Sequence, residues 1–267
     1  MVGEPRPASP ACEDEPLTAT PILRTDGLVK RFGGLLATDH VDIDVVPGEV
    51  HALIGPNGAG KTTLITLLSG EMRPDAGSIM LDGRLVTRLD VAGRARAGLG
   101  RSYQITQVLM EFTALDNVLV SILARSRETG AWAPLRAAAR HVEAAMHYLH
   151  QVGLGESAEV PVTEMAHGER RQLELAMALA LEPKVLLLDE PLAGVSKAES
   201  ETIVGLLSGL RSRYPMLLVE HDMDAVFALA DRISVLVYGK VVSTGTPQAI
   251  RADASVRAAY LGDEEVQ

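Results

Sequence analysis

The stretch GPNGAGKTT, residues 55–63, has the spacing of a phosphate-binding loop: Gly55 and Gly60 are separated by four residues, and Lys61 and Thr62 follow at once. In such a loop the glycines let backbone N–H groups close around phosphate oxygens, the lysine neutralises the β- and γ-phosphates, and the threonine hydroxyl ligates Mg²⁺. The stretch therefore predicts a site for a nucleoside triphosphate with magnesium. It leaves open what the protein does with that ligand.

The segments on either side of the loop have the patterns of a strand and a helix. EVHALI (49–54) is a largely apolar run that leads into the glycines, and KTTLITLLSG (61–70) predicts a helix that a glycine ends. Elsewhere strands alternate with helices, which predicts a largely parallel sheet in an α/β fold. Further strands are predicted at 41–45, 77–83, 184–189, 216–220 and 232–238, and helices from Glu169, Lys197 and Met223.

The rest of the chain divides by composition. The first residues are rich in Pro, Ala, Glu and Ser and lack hydrophobic periodicity, so we expect them to be disordered. Helical patterns near 113–125 and 134–152 predict a helical insert in the α/β domain. The expected divisions are a leader (1–21), one α/β domain (22–262) with a helical subdomain (about 105–168), and a tail (263–267).

Composition argues against several other classes of protein. A formal net charge of −10 and an aromatic content of 3% disfavour a nucleic-acid partner, which needs a basic track and aromatic faces. Cys12 is the only cysteine, so no disulfide can form within the chain. The chain has no secretory signal and no run of about 18 apolar residues, so we expect a soluble protein whose membrane contact is peripheral.

Two adjacent acids follow a predicted buried strand. The apolar run 185–188 carries Asp189 and Glu190 to its carboxyl end, the edge at which ligands bind in α/β sheets. Asp189 is placed to bind Mg²⁺ through water, and Glu190 to orient or deprotonate an attacking water. Such a base favours hydrolysis over transfer of the phosphate to an acceptor. A GTPase would also need an Asn/Thr-Lys-x-Asp stretch, and no lysine of the chain lies in one.

The stretch MAHGERRQLELAMALALEPKVLLLDEP, residues 165–191, resembles the signature helix and second nucleotide motif of the ATP-binding cassette (ABC) family. Phe32 lies where this family stacks an aromatic on adenine, Gln104 where a glutamine senses Mg²⁺ and water, and His221 where a switch histidine lies near the γ-phosphate. The resemblance covers roughly residues 23–262. It implies a P-loop ABC nucleotide-binding domain with a mostly parallel sheet, an N-terminal antiparallel β portion and an inserted helical subdomain.

The resemblance also implies a role for each site residue. Catalysis would fall to Glu190, His221 and Gln104, and Mg²⁺ would be held by Thr62, Gln104 and Asp189. The cofactors would be ATP and Mg²⁺. The residues expected to contact nucleotide are Phe32, Gly55, Pro56, Asn57, Gly58, Ala59, Gly60, Lys61, Thr62, Thr63, Ala166 and Gly168, the last two acting on the nucleotide of a partner subunit.

Two positions depart from the family's pattern. Ala166 stands where a signature serine would offer a hydroxyl to the partner's γ-phosphate, and Ser196 stands where the loop after Glu190 usually carries aspartate. Gly168 and the positive end of the helix remain, so we expect a weakened set of phosphate donors there. The departures leave open a regulatory subunit that binds ATP without hydrolysing it, against which Glu190 argues.

Several local strings are similar to the ATPases of branched-chain amino-acid importers. They are RFGGLLATDHVD (31–42), RSYQITQVLMEFTALDNVLV (101–120), EHDMDAVFALADRISVLVYGK (220–240) and VRAAYLG (256–262). ATPases of urea or amide importers look similar, and the lipopolysaccharide-export ATPase shares the ERR and YLG features, so these cargoes stay open. A soluble ABC ATPase acting on ribosomes or DNA is a further alternative, although the tandem cassettes or long coiled-coil insert typical of such proteins are missing.

A transporter of this kind implies partners. The ATPase would dock on transmembrane ABC permease subunits at the cytoplasmic side of the inner membrane, through a groove around residues 104–119. Glu111 and Phe112 lie in that segment. The alternatives to a contact with the permease are that Glu111 is simply an exposed acid and Phe112 simply a buried aromatic. The chain would dimerise with a second ATP-binding subunit, identical or different, and depend indirectly on a secreted substrate-binding protein.

Overall fold

The computed structural model describes residues 20–101, 108–126, 135, 136 and 138–256. Within these ranges the chain forms two β-sheets and a set of helices, which confirms the predicted α/β class. None of the helices in this part of the chain is both long and apolar enough to cross a bilayer. The leader up to residue 19, Gln104 and the stretch after Val256 lie outside the described residues.

The larger sheet is mostly parallel. In the order in which they lie side by side, its strands are β11 (Lys240–Gly245), β10 (Arg232–Val237), β4 (Val50–Ile54), β9 (Met216–Val219), β8 (Val185–Asp189) and β7 (Leu99–Arg101). β11 pairs antiparallel with β10, and the other neighbours are parallel. β4, β8 and β9 are buried along their whole length, which explains why their sequences are largely apolar.

The smaller sheet is antiparallel and comes from the first part of the chain. Its strands are β1 (Leu23–Phe32), β2 (Leu35–Val41), β3 (Asp44–Val45), β5 (Ala76–Leu81) and β6 (Arg84–Leu85), with β1 between β2 and β5. The single strand predicted over 41–45 was wrong, because β2 ends at Val41 and β3 begins at Asp44. Between them the carboxylate of Asp42 accepts a hydrogen bond from the N–H of Gly27, where β1 bends at a φ of 56°.

Helices cover both faces of the larger sheet. They are α1 (Lys61–Ser69), α2 (Val91–Ala97), α3 (Ala114–Ser126), α4 (Ala139–Gln151), α5 (His167–Ala180), α6 (Lys197–Leu210), α7 (Met223–Leu229), α8 (Pro247–Ala252) and α9 (Ala254–Val256). Alternate residues of β8 enter different cores. Leu186 and Leu188 pack with α3, α4, α5 and α6, whereas Val185 and Leu187 pack with α1 and the smaller sheet.

The helical insert is built around α3 and α4, which share one apolar core with α5. The helix expected near 134–152 begins later, at Ala139, and residues 135 and 136 form a turn. The helix expected from Glu169 begins two residues earlier, at His167. The limits of the helical subdomain at about 105 and 168 stay a prediction.

A buried arginine closes the carboxyl end of α1. Arg94 of α2 is 1% exposed, and its guanidinium donates to the carbonyl oxygens of Leu68 (2.7 Å) and Thr87 (3.0 Å), and also to that of Leu67. The last carbonyl groups of an α-helix have no partner within the helix, and a cation suits the negative end of the helix dipole. Arg94 therefore fixes α1 against the segment that precedes α2.

Replacing Arg94 by methionine should lower the free energy of unfolding by about 2–4 kcal/mol, because the aliphatic stem stays while buried carbonyl groups lose their donors. Equilibrium unfolding in urea, followed by circular dichroism, measures the change. Arg88→Met is the matched control, since Arg88 lies in the same region and is exposed. Equal losses of stability in the two variants would contradict the role given to Arg94.

Candidate nucleotide-binding site

The residues expected to bind a nucleotide follow the carboxyl ends of neighbouring parallel strands. β4 runs into the loop at 55–60, β8 ends at Asp189, and β9 is followed directly by Glu220 and His221. Because β9 lies between β4 and β8, these three ends meet at one edge of the sheet. β7 ends at the same edge, three residues before Gln104.

The loop is held by close backbone contacts that only glycine permits. A Cβ at Gly55 would lie 2.1 Å from the carbonyl oxygen of Leu236 in β10. A Cβ at Gly60 would lie 2.2 Å from the carbonyl oxygen of Ala37 in β2. Gly60 also has a φ of 106°, which residues with side chains rarely adopt. A side chain at either position would push the loop away from these strands.

Lys61 begins α1, and its side chain folds back into the loop. Its Nζ donates to the carbonyl oxygens of Gly55 and Pro56, the second at 3.1 Å. Burial lowers the pKa of Lys61, and the negative charges of Glu190 and Asp189 oppose that shift. The ammonium group therefore lies close to both acids and within the curve of the loop.

The start of α1 is open to an anion. Gly60 is its N-cap and supplies no side-chain hydrogen bond, and the first turn contains no acidic residue. The first N–H groups of a helix have no partner within the helix, and they carry the positive end of its dipole. Thr62, Asn57 and Gly58 are exposed around this end, while Ala59 is buried. This geometry suits a phosphate group.

Asp189 is almost buried at the end of β8. Its carboxylate lies 3.6 Å from Nη2 of Arg101, and Arg101 also donates to Ser69 Oγ (2.8 Å) and pairs with Glu71. Burial raises the pKa of Asp189, and the charge of Arg101 opposes the shift. This role of Arg101 was not predicted from the sequence, because arginine is mostly exposed and no motif marks this position.

Glu190 and His221 lie next to each other. Oε1 of Glu190 is 3.9 Å from Nδ1 of His221, and the side chain of Glu190 is about a quarter exposed, at 26%. Glu190 has a φ of 49°, in the left-handed region that strains residues other than glycine and that is found disproportionately at functional sites. The structure thus brings together two residues that are far apart in the sequence and were predicted to act on the same phosphate.

Phe32, the residue predicted to stack on adenine, lies at the end of β1 with 45% of its surface exposed. Nζ of Lys30 lies 5.8 Å from the centre of its ring. An aromatic ring this open is not part of the core, so one face remains accessible to a flat ligand. Its role stays a prediction.

The signature stretch forms the start of α5. Ala166 is the N-cap, and its N–H donates to the carboxylate of Glu169 at 2.8 Å. The N–H of Gly168, expected to meet a phosphate, donates to Oε1 of Glu199 in α6 at 2.9 Å. Ser196, which stands in the place of an aspartate, is the N-cap of α6. In the described part of the chain, no hydrogen bond joins Ala166 or Gly168 to the phosphate loop.

The segment expected to meet a permease presents an apolar strip. Phe112 is 43% exposed, and Leu109 and Met110 are exposed to a similar degree. The alternative that Phe112 is a buried aromatic is therefore wrong. Glu111 is exposed, as its alternative expected.

A glycine loop between β4 and α1, with acids and a histidine after the neighbouring strands, defines a P-loop nucleotide-binding protein. Comparison with known families narrows this class. A family model described as ABC transporter matches residues 38–193, and one described as Branched-chain amino acid ATP-binding cassette transporter matches residues 240–266. The chain belongs to the ABC transporter family, and it is accordingly a cassette that binds and hydrolyses ATP.

Curated relatives and solved structures agree with this assignment. The chain is 37% identical over 252 residues to the high-affinity branched-chain amino acid transport ATP-binding protein LivG of Escherichia coli K12, and 39% identical over 253 residues to BraF of Pseudomonas aeruginosa. Each match covers 91% of this chain and 98% of the relative. The ADP conformation of MJ1267, an ATP-binding cassette of an ABC transporter, matches 91% of this chain and 100% of its own, with a TM-score of 0.81 and 29% identity.

Replacing Lys61 by alanine should weaken ATP binding by about 100-fold, because the loop loses a charge-assisted contact to two phosphates. Titration with a fluorescent ATP analogue measures the affinity. Lys184→Ala is the control, since Lys184 directly precedes the amino end of β8 and pairs with Asp82 there. An affinity unchanged from that of the wild type would remove Lys61 from this role.

Proposed function

We propose that the chain binds Mg-ATP at the carboxyl edge of its parallel sheet and hydrolyses it to drive a membrane transporter. The observation that supports this most is the meeting of the phosphate loop, Asp189 with Glu190, and His221 at one edge. Membership of the ABC transporter family supports ATP as the ligand of that edge.

In the proposed complex the loop surrounds the phosphates with backbone N–H groups. Lys61 exchanges the carbonyl oxygens of Gly55 and Pro56 for oxygens of the β- and γ-phosphates, which costs little movement because its Nζ already lies in the loop. The free N–H groups at the start of α1 add to this cradle. Phe32 stacks on the adenine with its open face.

Oxygen ligands suit the magnesium ion that ATP carries. We assign to it the Thr62 hydroxyl, the Asp189 carboxylate through water, and Gln104. Mg²⁺ prefers such hard oxygen donors and keeps several of its waters, which fits one exposed hydroxyl in the first turn of α1 and one nearly buried carboxylate at the end of β8. When bound, the ion neutralises charge that develops on the phosphate oxygens.

Glu190 is the general base of the proposed reaction. Its carboxylate accepts a proton from the water that attacks the γ-phosphate, and His221 contacts the same phosphate. The 3.9 Å between Glu190 and His221 lets both side chains reach one reacting group. A regulatory subunit without hydrolysis would have no use for a strained acid at this position.

A second ATP-binding subunit, identical or different, completes each site in this proposal. Within the described residues the N–H groups of Ala166 and Gly168 donate to Glu169 and Glu199, away from the phosphate loop, and we assign both residues to the nucleotide of the partner. In the dimer the N–H of Gly168 then donates to the γ-phosphate of the partner's ATP instead of to Glu199. ATP favours the closed dimer and hydrolysis releases it, which shifts the population between two arrangements.

Replacing Glu190 by glutamine should reduce phosphate release at least 100-fold while ATP affinity stays within about twofold, because the base is lost and the binding groups remain. The variant should accumulate as an ATP-bound dimer, alone or with its natural partner subunit. Size-exclusion chromatography with ATP and Mg²⁺, beside a phosphate-release assay, measures both. Near-normal phosphate release would remove Glu190 from the role of base, and loss of hydrolysis without any dimer would contradict the shared site.

The proposed cargo is a branched-chain amino acid. The match of residues 240–266 to a model of that transporter class supports it, and so do the names of LivG and BraF. The ATPase would sit at the cytoplasmic side of the inner membrane on permease subunits that contact the exposed strip at Leu109, Met110 and Phe112. A secreted binding protein would select the cargo.

Deleting the gene in its host should reduce uptake of radiolabelled leucine at least tenfold. Wild type should restore uptake and Glu190→Gln should not. In a strain that also lacks the permease subunits, the chain should leave the membrane fraction, and its stable membrane association there would contradict recruitment through the permease. Normal leucine uptake together with loss of urea uptake or of lipopolysaccharide export would replace the proposed cargo by one of those alternatives.

A further inference from the structure

Glu220 is a fully buried carboxylate that the proposed mechanism does not use. It follows directly after β9, between the strand end that leads to the phosphate loop and the one that carries Asp189. Its side chain is 0% exposed. A buried charge is costly unless hydrogen bonds satisfy it, so its partners decide what it does.

The partners of Glu220 are backbone N–H groups from two different loops. Oε1 accepts from the N–H of Leu192 at 2.8 Å, two residues after Glu190. Oε2 accepts from the N–H of His221 at 3.0 Å and from that of Asp222 at 3.4 Å. One carboxylate therefore ties the loop after β8 to the loop after β9.

This tie acts where the backbone is strained. Glu190 has a φ of 49°, and such a residue keeps its conformation only when several contacts fix it. The N–H of Glu190 donates to the carbonyl oxygen of Val219 at 2.8 Å, and the N–H of Leu192 donates to Glu220. The strained residue is thus held on both sides by consecutive residues of the β9 end.

The same carboxylate lies beside the ring of His221. Oε2 of Glu220 is 3.7 Å from Nδ1, and Oε1 of Glu190 is 3.9 Å from the same nitrogen. The negative charge of two carboxylates on this side of the ring favours a hydrogen on Nδ1.

We infer that Glu220 is a positioning residue for ATP hydrolysis, which fixes the loop of Glu190 and the loop of His221 in one relative arrangement. The inference rests on the proposed function for the roles of Glu190 and His221. The tie itself rests on the geometry of the described residues alone. Glu220 acts through the backbone of its neighbours and not by contact with the nucleotide or the attacking water.

Replacing Glu220 by glutamine tests this with the smallest change of shape. An amide offers one oxygen to N–H donors, while its NH₂ group faces a donor that it cannot pair with. Glutamine can therefore hold Leu192 or His221, but not both. We expect kcat for ATP hydrolysis to fall at least tenfold, with KM and the affinity for a fluorescent ATP analogue within about twofold of wild type, because the phosphate loop is untouched.

Glu49→Gln is the matched control for loss of a buried carboxylate. Glu49 is 7% exposed, accepts the N–H of Val46 at 2.9 Å and pairs with Arg232 at the amino end of β4, opposite the phosphate loop. It should lose thermal stability without loss of kcat. An equal loss of kcat in both variants, or a normal kcat in Glu220→Gln, would overturn the inference.

Amide hydrogen exchange gives a readout that needs no hydrolysis. The amides of Leu192 or of His221 and Asp222 should exchange at least tenfold faster in Glu220→Gln than in wild type, and at the wild-type rate in Glu49→Gln. Unchanged exchange in Glu220→Gln would overturn the inference whatever the activity. A wild-type protein that does not hydrolyse ATP with its partner subunit, yet shows the predicted exchange, would overturn the proposed function and leave the tie in place.

Discussion

The phosphate loop lies directly against backbone carbonyl groups of two strands that belong to different sheets. Gly55 approaches Leu236 of the parallel sheet, and Gly60 approaches Ala37 of the antiparallel sheet, both at distances that leave no room for a Cβ. The contact continues through Gly239, whose N–H donates to the carbonyl oxygen of Ala59 at 2.8 Å. Both sheets therefore shape this loop. A change in the packing of the smaller sheet would alter the site as directly as a change in β4, the strand before the loop. The two glycines therefore permit the close contact of the loop with both sheets.

The parts of the fold that the sequence predicted are those in which one strand or helix buries a regular apolar pattern. β4, β8 and β9 are buried along their whole length and have largely apolar sequences. β1 was not predicted, because bulges and the bend at Gly27 interrupt the alternation of buried and exposed residues along it. α2 was not predicted because the residue that it buries is Arg94, whose partners are carbonyl groups of α1 and of the segment before α2. A contact of that kind leaves no periodicity in the sequence.

The candidate site divides in the same way. The positions of Lys61 and Asp189 could be predicted from the sequence, that of Lys61 from the spacing of the phosphate loop and that of Asp189 from the buried strand that precedes it. The side chains that support the site could not be predicted, because each of them contacts a strand or loop that is its neighbour in the sheet but not in the sequence. Arg101 reaches Asp189 only because β7 pairs with β8, and Glu220 reaches Leu192 only because β9 lies beside β8. A glutamate at the end of a strand predicts nothing about burial, and residues of this type are mostly exposed.

The carboxylate of Glu199 serves the first turns of two helices at once. Oε2 accepts the N–H of Ser196 at 2.7 Å at the start of α6, and Oε1 accepts that of Gly168 at the start of α5. Hydrogen bonds with Ser196, followed by that with Gly168, hold the pKa of Glu199 below its ordinary value of 4.5. A carboxyl group with a depressed pKa stabilises the fold above its unfolded pKa, and this contribution is lost as the pH falls through the folded pKa. Protonation of this one carboxylate therefore weakens the charge-assisted hydrogen bonds at both helix starts together, which links the first turns of α5 and α6 to the same titration.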